Sequence, residues 1–458
     1  MIRVTDLICT AGTPQARQRL ARLEERGTVT GARVEATVRR ILRAVRRDGD
    51  AALLAFTRRF DGVALRPATL RVPPDDLVAA YRDQPAVVRR DLGLAARRIR
   101  AFHLRQRERS WSLRDREGAR LGQLIRPLDR VGVYVPGGRA AYPSTVLMTV
   151  VPARVAGVPE VLAVSPAGAA GHPPVILAAC HVAGVDALYR VGGAQAVGAL
   201  AYGTATIPRV DKIVGPGNAY VATAKRLVYG QVDIDSIAGP SEVLIVADGS
   251  ASPEVVAADM LAQAEHDPQA AAICVTADRR LAARVAAALG EQRLTLQRRA
   301  IAERSLEQFG AIVVTPSLAD AVELANRLAP EHLELMVRTP YRWVPRIRHA
   351  GAVFVGPHAP EAFGDYLAGP NHVLPTGGTA RFASPLGVYD FVKRTSLIEA
   401  APRTLARLGP VVARLARLEG LDAHARSVDR RLVPLRDPCP RPARRALAEP
   451  RRAVGGSR

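Results

Sequence analysis

Val131-Gly-Val-Tyr-Val-Pro-Gly-Gly138 decides how this chain is read. Val131, Val133, Tyr134 and Val135 make a short apolar strand, and Pro136-Gly137-Gly138 breaks it into a turn. A helical stretch follows over 145–156, then a strand over 160–164, a helix over 175–182, a strand over 187–191 and a helix over 196–202. A strand at 212–214 and a helix at 219–228 continue the pattern. Strands alternating with helices predict a parallel α/β sheet, because parallel neighbours need a crossover and the helix supplies it.

A second run of the same kind starts at Ser241. Strands are expected over 243–247, 272–276 and 311–315, with helices over 253–265, 279–289 and 318–328. Each run is too short for a complete dinucleotide-binding sheet. The fold expected is therefore α/β, with two incomplete Rossmann-like globules and a cleft between them. Upstream, Val34, Val38, Ile41, Leu42 and Val45 recur at helical spacing, and residues 13–120 read as helical. After about residue 385 the chain reads as helical again, most clearly over Val411–Leu418, just after the breaker Gly409-Pro410. The organisation expected is a helical N-terminal arm (1–24), a first globule built from 25–130 with 240–385, a second globule over 131–239, a helical C-terminal segment (386–433) and a disordered tail (434–458). That tail carries seven Arg against Asp437 and Glu449.

Composition excludes several classes. Of 458 residues 48% are hydrophobic and only 4% aromatic, so the cores must be built from Ala, Val and Leu. The longest apolar stretch, Val146–Val164, is interrupted by Arg154, Pro152 and Pro159, so no membrane span is expected. The first residues have no signal-peptide core, which favours a cytoplasmic protein. Cys9, Cys180, Cys274 and Cys439 show no metal-binding spacing and are too few for a disulfide framework. The net charge of +22 suggests nucleic acid, but the 62 Arg are scattered along the chain and no binding motif accompanies them. Against that background the three lysines, Lys212, Lys225 and Lys393, mark places where a compact ammonium fits and a planar guanidinium does not, unless chance kept them.

Three glycine turns follow strands and precede helices: Pro136-Gly137-Gly138, Gly192-Gly193-Ala194-Gln195 and Gly215-Pro216-Gly217-Asn218. Turns at that position offer backbone amides and helix N-termini to an anion. None is a complete G-x-G-x-x-G, and each alone is an ordinary turn. Gln263-x-x-His266 puts two donors one turn apart on a helix. With Asp365, in a segment read as loop, and His424, past the last helix, they would suit zinc through nitrogen and oxygen, although spacing alone cannot bring them together. Glu331-His332 pairs an acid with a base in a loop between α/β elements, as proton transfer requires.

The chain resembles the histidinol dehydrogenase family from about residue 5 to 433. The resemblance rests on eight motifs: Val131–Gly138, Val191-Gly-Gly-Ala-Gln195, Asp211-Lys-Ile-Val-Gly-Pro-Gly-Asn-Ala-Tyr220, Ile237-Ala-Gly-Pro-Ser-Glu-Val243, Gln263-Ala-Glu-His-Asp-Pro268, Ala329-Pro-Glu-His-Leu333, Gly369-Pro-Asn-His-Val-Leu-Pro-Thr376 and Glu419-Gly-Leu-Asp-Ala-His424. It implies zinc on Gln263, His266, Asp365 and His424, and NAD on Tyr134, Gln195 and Asn218. It implies L-histidinol contacts from Ser241, His332 and Glu419 besides the metal ligands, with Glu331 and His332 as the acid/base pair. It also implies a homodimer that exchanges its C-terminal segments. The reaction expected is the four-electron oxidation of L-histidinol to L-histidine through a bound aldehyde. No cysteine lies inside any motif, which argues against a thiohemiacetal route. The alternative is a relative with the same zinc and NAD apparatus acting on another small alcohol.

Overall fold

The computed structural model describes residues 3–26, 31–137 and 141–432. They fall into two units, one of residues up to 108 with 126–393, the other of 109–125 with 394 onward.

The first unit holds two wholly parallel sheets. The six-stranded sheet runs Ile8–Thr10, Ala311–Val314, Ala271–Thr276, Glu242–Ala247, His332–Met336, Ala352–Val355. The five-stranded sheet runs Ala187–Tyr189, Glu160–Val164, Arg130–Tyr134, Lys212–Val214, Asp233–Ile234. Every residue of Glu242–Ala247 and Ala271–Thr276 is buried, because helices cover both faces. Such strands read as continuous apolar runs, which is why their positions could be read from sequence.

Several expectations change. Ile8–Thr10 is an edge strand of the six-stranded sheet, paired Ile8↔Ile312, so the N-terminal arm is not wholly helical. Three residues are too few to show a period. Helices Ala32–Asp48 and Asp50–Asp61 pack on helices Gly193–Tyr202 and Ala219–Val228, within the 131–239 globule rather than with 240–385. Val38, Ile41, Leu42 and Val45 share one core with Leu162, Val164, Val197 and Leu200. Helix Ala86–Leu104 likewise joins Pro143–Ala156. An amphipathic stripe shows that a helix covers something, not which sheet it covers.

The second unit contains an antiparallel element and a helical pair. Trp111–Arg114, Arg120–Pro127 and Val392–Glu399 form a three-stranded sheet where helix was expected. Trp111–Arg114 is exposed throughout and Val392–Glu399 mostly so, so no inward–outward alternation was there to read. Helix Pro402–Leu418 runs straight through Gly409-Pro410 instead of starting after it. A methyl at Gly409 would come 3.1 Å from Val428, so this glycine lets the helix approach Asp422–Leu432 closely. Ala413, Ala416 and Ala425 fill that small interface. The Pro/Arg tail lies outside the described residues. No helix among the described residues is long and apolar enough to cross a membrane.

Candidate active site

Tyr134, Gln195 and Asn218, each near the C-terminal end of a strand of the five-stranded sheet, line one cavity of about 550 Å3. Tyr134 ends its strand, and its hydroxyl accepts a hydrogen bond from the Gly193 amide (3.0 Å). Burial pushes that phenol up to about 12. Asn218 is the N-cap of Ala219–Val228, its Oδ1 accepting from the amides of Tyr220 (3.0 Å) and Val221 (3.2 Å). Its amide nitrogen is then the group left for a ligand. Gln195 is buried with Nε2 unpartnered, facing no protein acceptor.

The turn that presents Asn218 is held from below. Gly215 has φ of +108°, and a Cβ there would lie 2.3 Å from the Tyr134 carbonyl, so only glycine fits. Its amide donates to Asp235 (2.7 Å), and its carbonyl accepts from Lys225 Nζ (2.9 Å). Lys225 and Asp235 also pair with each other, both almost wholly buried.

The second cluster forms at the opposite edge of the other sheet. His332 opens its strand and pairs in register with Val243, so Ser241, Glu242, Glu331 and His332 meet at the N-terminal ends of two adjacent strands. Helix Pro253–Ala264 runs back from the far end of Glu242–Ala247 and brings Gln263 and His266 to the same edge. His266 lies just beyond the helix, so the two donors bracket its C-terminus instead of sharing a helical face. His332 is a strand residue rather than a loop residue, and Asp365 sits in the short helix Glu361–Tyr366.

His332 is fixed at one nitrogen and free at the other. Nδ1 lies 3.1 Å from the Glu242 carbonyl and donates its proton there, which leaves a lone pair on Nε2. Nε2 is buried without a hydrogen-bond partner, 3.9 Å from Asp365 Oδ1. Burial pushes His332 down to about 3, so the ring is neutral. Glu331 Oε2 lies 3.7 Å from His332 Nδ1 and accepts from the Glu242 amide (3.0 Å). Burial, with the charge of Glu242, raises Glu331 well above the ordinary carboxyl range, and Ser241 hydrogen-bonds its carboxyl. Arg26 braces the strand start: it pairs with Glu242 (2.6 Å) and donates to the carbonyls of Pro240 (3.0 Å) and Ser241 (3.3 Å).

His266, Glu361 and Asp365 place ligand atoms within 4.8 Å of one another. Burial raises Asp365 to about 6 and Glu361 well above its usual value. The Gln263 amide satisfies its surroundings with its nitrogen toward Glu361, 3.1 Å from both carboxylate oxygens, which leaves its oxygen free. His372 Nδ1 lies 3.9 Å from Asp365, and burial lowers that ring to about 4. Glu361 and His372 were not anticipated as members of this cluster. Glu361 stands four residues before Asp365, a helical spacing, but the six-residue helix is too short to show its period. His372 lies inside the Gly369–Thr376 motif, where sequence gives it no role. Glu419 and His424 belong to the second unit, where both are exposed. Glu419 caps the C-terminus of Pro402–Leu418, and His424 lies within helix Asp422–Leu432, not past the last helix.

Comparison with known proteins gives one answer. The family model for histidinol dehydrogenase matches residues 24–432. The histidinol dehydrogenase of Syntrophotalea carbinolica is 56% identical over 413 residues, covering 90% of this chain and 96% of the relative. That of Geobacter metallireducens is 53% identical over 411 residues, 89% of this chain and 94% of the relative. The crystal structure of histidinol dehydrogenase from Elizabethkingia anophelis superposes with a TM-score of 0.87 at 34% identity, covering 93% of this chain and 97% of that one. The chain therefore belongs to the histidinol dehydrogenase family, oxidoreductases of histidine biosynthesis.

Proposed function

We propose that the chain oxidises L-histidinol to L-histidine in two NAD-dependent steps, with L-histidinaldehyde retained between them, at a zinc site shared across a homodimer. The observation that carries this reading is the His332 ring: tautomer fixed by the Glu242 carbonyl, Nε2 lone pair buried and unpartnered, carboxylates around it. A buried base with an open acceptor atom is a proton-accepting site waiting for a donor.

The residues present fit zinc. His266 offers nitrogen, Asp365 and Gln263 offer oxygen, and among the described residues no cysteine joins the cluster, a donor set zinc accepts. Asp365, Glu361 and Glu331 are crowded and desolvated, which a cation would relieve. Gln263 and His266 lie at a helix C-terminus, where the dipole also favours positive charge. We assign the remaining ligand to His424 of the partner subunit. When bound, zinc would hold the imidazole and amino nitrogens of the substrate, a positioning role more than an activating one.

The chain's own groups divide the proton work. His332 Nε2 takes the hydroxyl proton of the alcohol as its carbon gives up hydride. Ser241 holds the Glu331 carboxyl, which takes a proton from water as that water adds to the aldehyde. His332 returns its proton to the carbonyl oxygen as the water adds, and so is free to take a hydroxyl proton of the resulting hydrate in the second oxidation. NAD, seated by Tyr134, Gln195 and Asn218, would accept the hydride each time.

The dimer reading has its own support. Helix Pro402–Leu418 exposes Leu408, Val411, Val412, Leu415 and Leu418 at helical spacing, an apolar stripe that a second copy would cover. Glu419 and His424 follow directly, so an exchanged segment would carry both to the partner's cluster. Cys9, Cys180 and Cys274 are free, buried thiols, which suits the reducing cytoplasm. The test is stoichiometry: purified protein with NAD and L-histidinol should yield two NADH per L-histidine. One NADH with release of aldehyde, or no turnover, contradicts the proposal.

A further inference from the structure

One acid in the cofactor cavity has no structural reason to be there. Asp61 is the last residue of helix Asp50–Asp61, where the helix dipole is negative and a carboxylate is disfavoured. It lines the cavity beside Tyr134, Gln195 and Asn218. Its Oδ2 is buried and has no hydrogen-bond partner. Burial raises its carboxyl above the ordinary value, and its charge in turn raises the Tyr134 phenol. Helix end, desolvation and absent partner all work against a carboxylate at this position, so the fold alone does not account for it.

Opposite charge preferences meet in the same cavity. The helices Gly193–Tyr202 and Ala219–Val228 begin at its wall and favour an anion. Asp61 repels one and accepts hydroxyl protons. A ligand that satisfies both carries phosphate at one point and a vicinal diol at another. The cavity's described lining contains none of Ser241, Gln263, His266, Glu331, His332 or Asp365. It therefore receives the end of a dinucleotide remote from the hydride chemistry. We infer that the Asp61 carboxylate accepts the adenosine ribose hydroxyls of the dinucleotide and selects NAD against its 2′-phosphorylated counterpart. This inference rests on reading the cavity as the dinucleotide site.

The experiment is calorimetric titration of the full-length protein and its Asp61→Asn variant with NAD, with NADP and with the 2′-deoxyadenosine analogue of NAD. Hydrogen bonds to a charged acceptor are worth about ten- to a hundredfold in affinity. The unmodified protein should bind NAD tighter than either other dinucleotide by about that factor. In Asp61→Asn the advantage of NAD over the deoxy analogue should shrink to about twofold, and discrimination against NADP should fall with it. The thermal midpoint of Asp61→Asn should hold or rise, since an unpaired carboxylate at a helix C-terminus is removed. An unchanged ratio of NAD to deoxy analogue, with NAD still bound, overturns the role of Asp61 and leaves the cavity reading standing. A marked drop in midpoint overturns it as well, showing that Asp61 serves the fold. If the unmodified protein binds no dinucleotide, the cavity reading fails and this inference fails with it.

Discussion

Lys225 is one of three lysines in a chain that otherwise uses arginine, and its surroundings explain why. Its ammonium is buried between the Gly215 carbonyl and the Asp235 carboxylate, and Asp235 also accepts from the Gly215 amide. A branched planar guanidinium is larger than the compact ammonium buried between those two acceptors. Lys225→Met keeps the apolar stem and deletes the charge, which leaves Asp235 buried and uncompensated. Breaking a buried pair from one side costs about 3–5 kcal/mol. Adding Asp235→Asn removes the stranded charge while keeping an acceptor for the Gly215 amide. The double variant should therefore recover about 2 kcal/mol of that loss, the scale of an uncompensated buried group. Lys225→Arg should cost about 1–3 kcal/mol through overpacking. Urea unfolding measures all three. Because the Gly215 turn carries Asn218, the KM for NAD should rise in the same order as the stability loss. A Lys225→Met cost below about 1 kcal/mol, or a double variant less stable than the single one, refutes the argument that this pair clamps the turn.

Chelation should abolish activity and zinc should restore it, and His266→Asn should lose metal and activity together, checked by metal analysis of the purified variant. Glu331→Gln should slow oxidation of supplied aldehyde by about 10²–10⁴-fold while the alcohol step survives better, whereas His332→Asn should slow both; equal effects of Glu331→Gln on the two steps refute the division. Glu331 must be ionised to accept a proton, and burial raises its pKa, so aldehyde oxidation should fall on acidification at a higher pH than alcohol oxidation, which depends on a histidine held neutral down to about 3. Co-refolding inactive His332→Asn with inactive His424→Asn should restore up to about a quarter of the sites if subunits exchange their C-terminal segments; confirmed mixed dimers without activity end that reading.

How far the sequence carried depends on how each residue reaches the site. Tyr134, Gln195 and Asn218 each sit at or just after a strand end, so locating the strands located the turns around them, while their assignment to NAD came from the family resemblance. The acid/base cluster is different. Ser241, Gln263, Glu331 and Glu361 converge only because one helix runs back antiparallel to its strand and two strands pair in register at their starts. Nothing local records that. The carrier of Asp365 was misread because its helix is six residues long, and Glu361 escaped with it. The packing of Ala32–Asp48 was misassigned for a related reason: its apolar stripe is plain, but the surface it meets lies more than 100 residues away.

The placement of the two clusters follows from dipoles once the sheets are known to be parallel. In a parallel sheet the covering helices run antiparallel to the strands, so helix N-termini gather at the C-terminal edge and helix C-termini at the N-terminal edge. The glycine turns of the five-stranded sheet occupy the first kind of edge, and their helices start at Gly193 and Ala219, where the helix dipole favours an anion. Ser241, Gln263, His266 and His332 occupy the second kind, beneath the carbonyl end of Pro253–Ala264 and among carboxyls that burial has raised. The two edges thus differ in the sign of charge they favour before any side chain is considered. On the proposed reading the polyanionic dinucleotide takes the first edge, and the metal cation with its amine-bearing substrate takes the second. Exchanging the two assignments would set phosphates against the desolvated carboxyls of Glu331, Glu361 and Asp365.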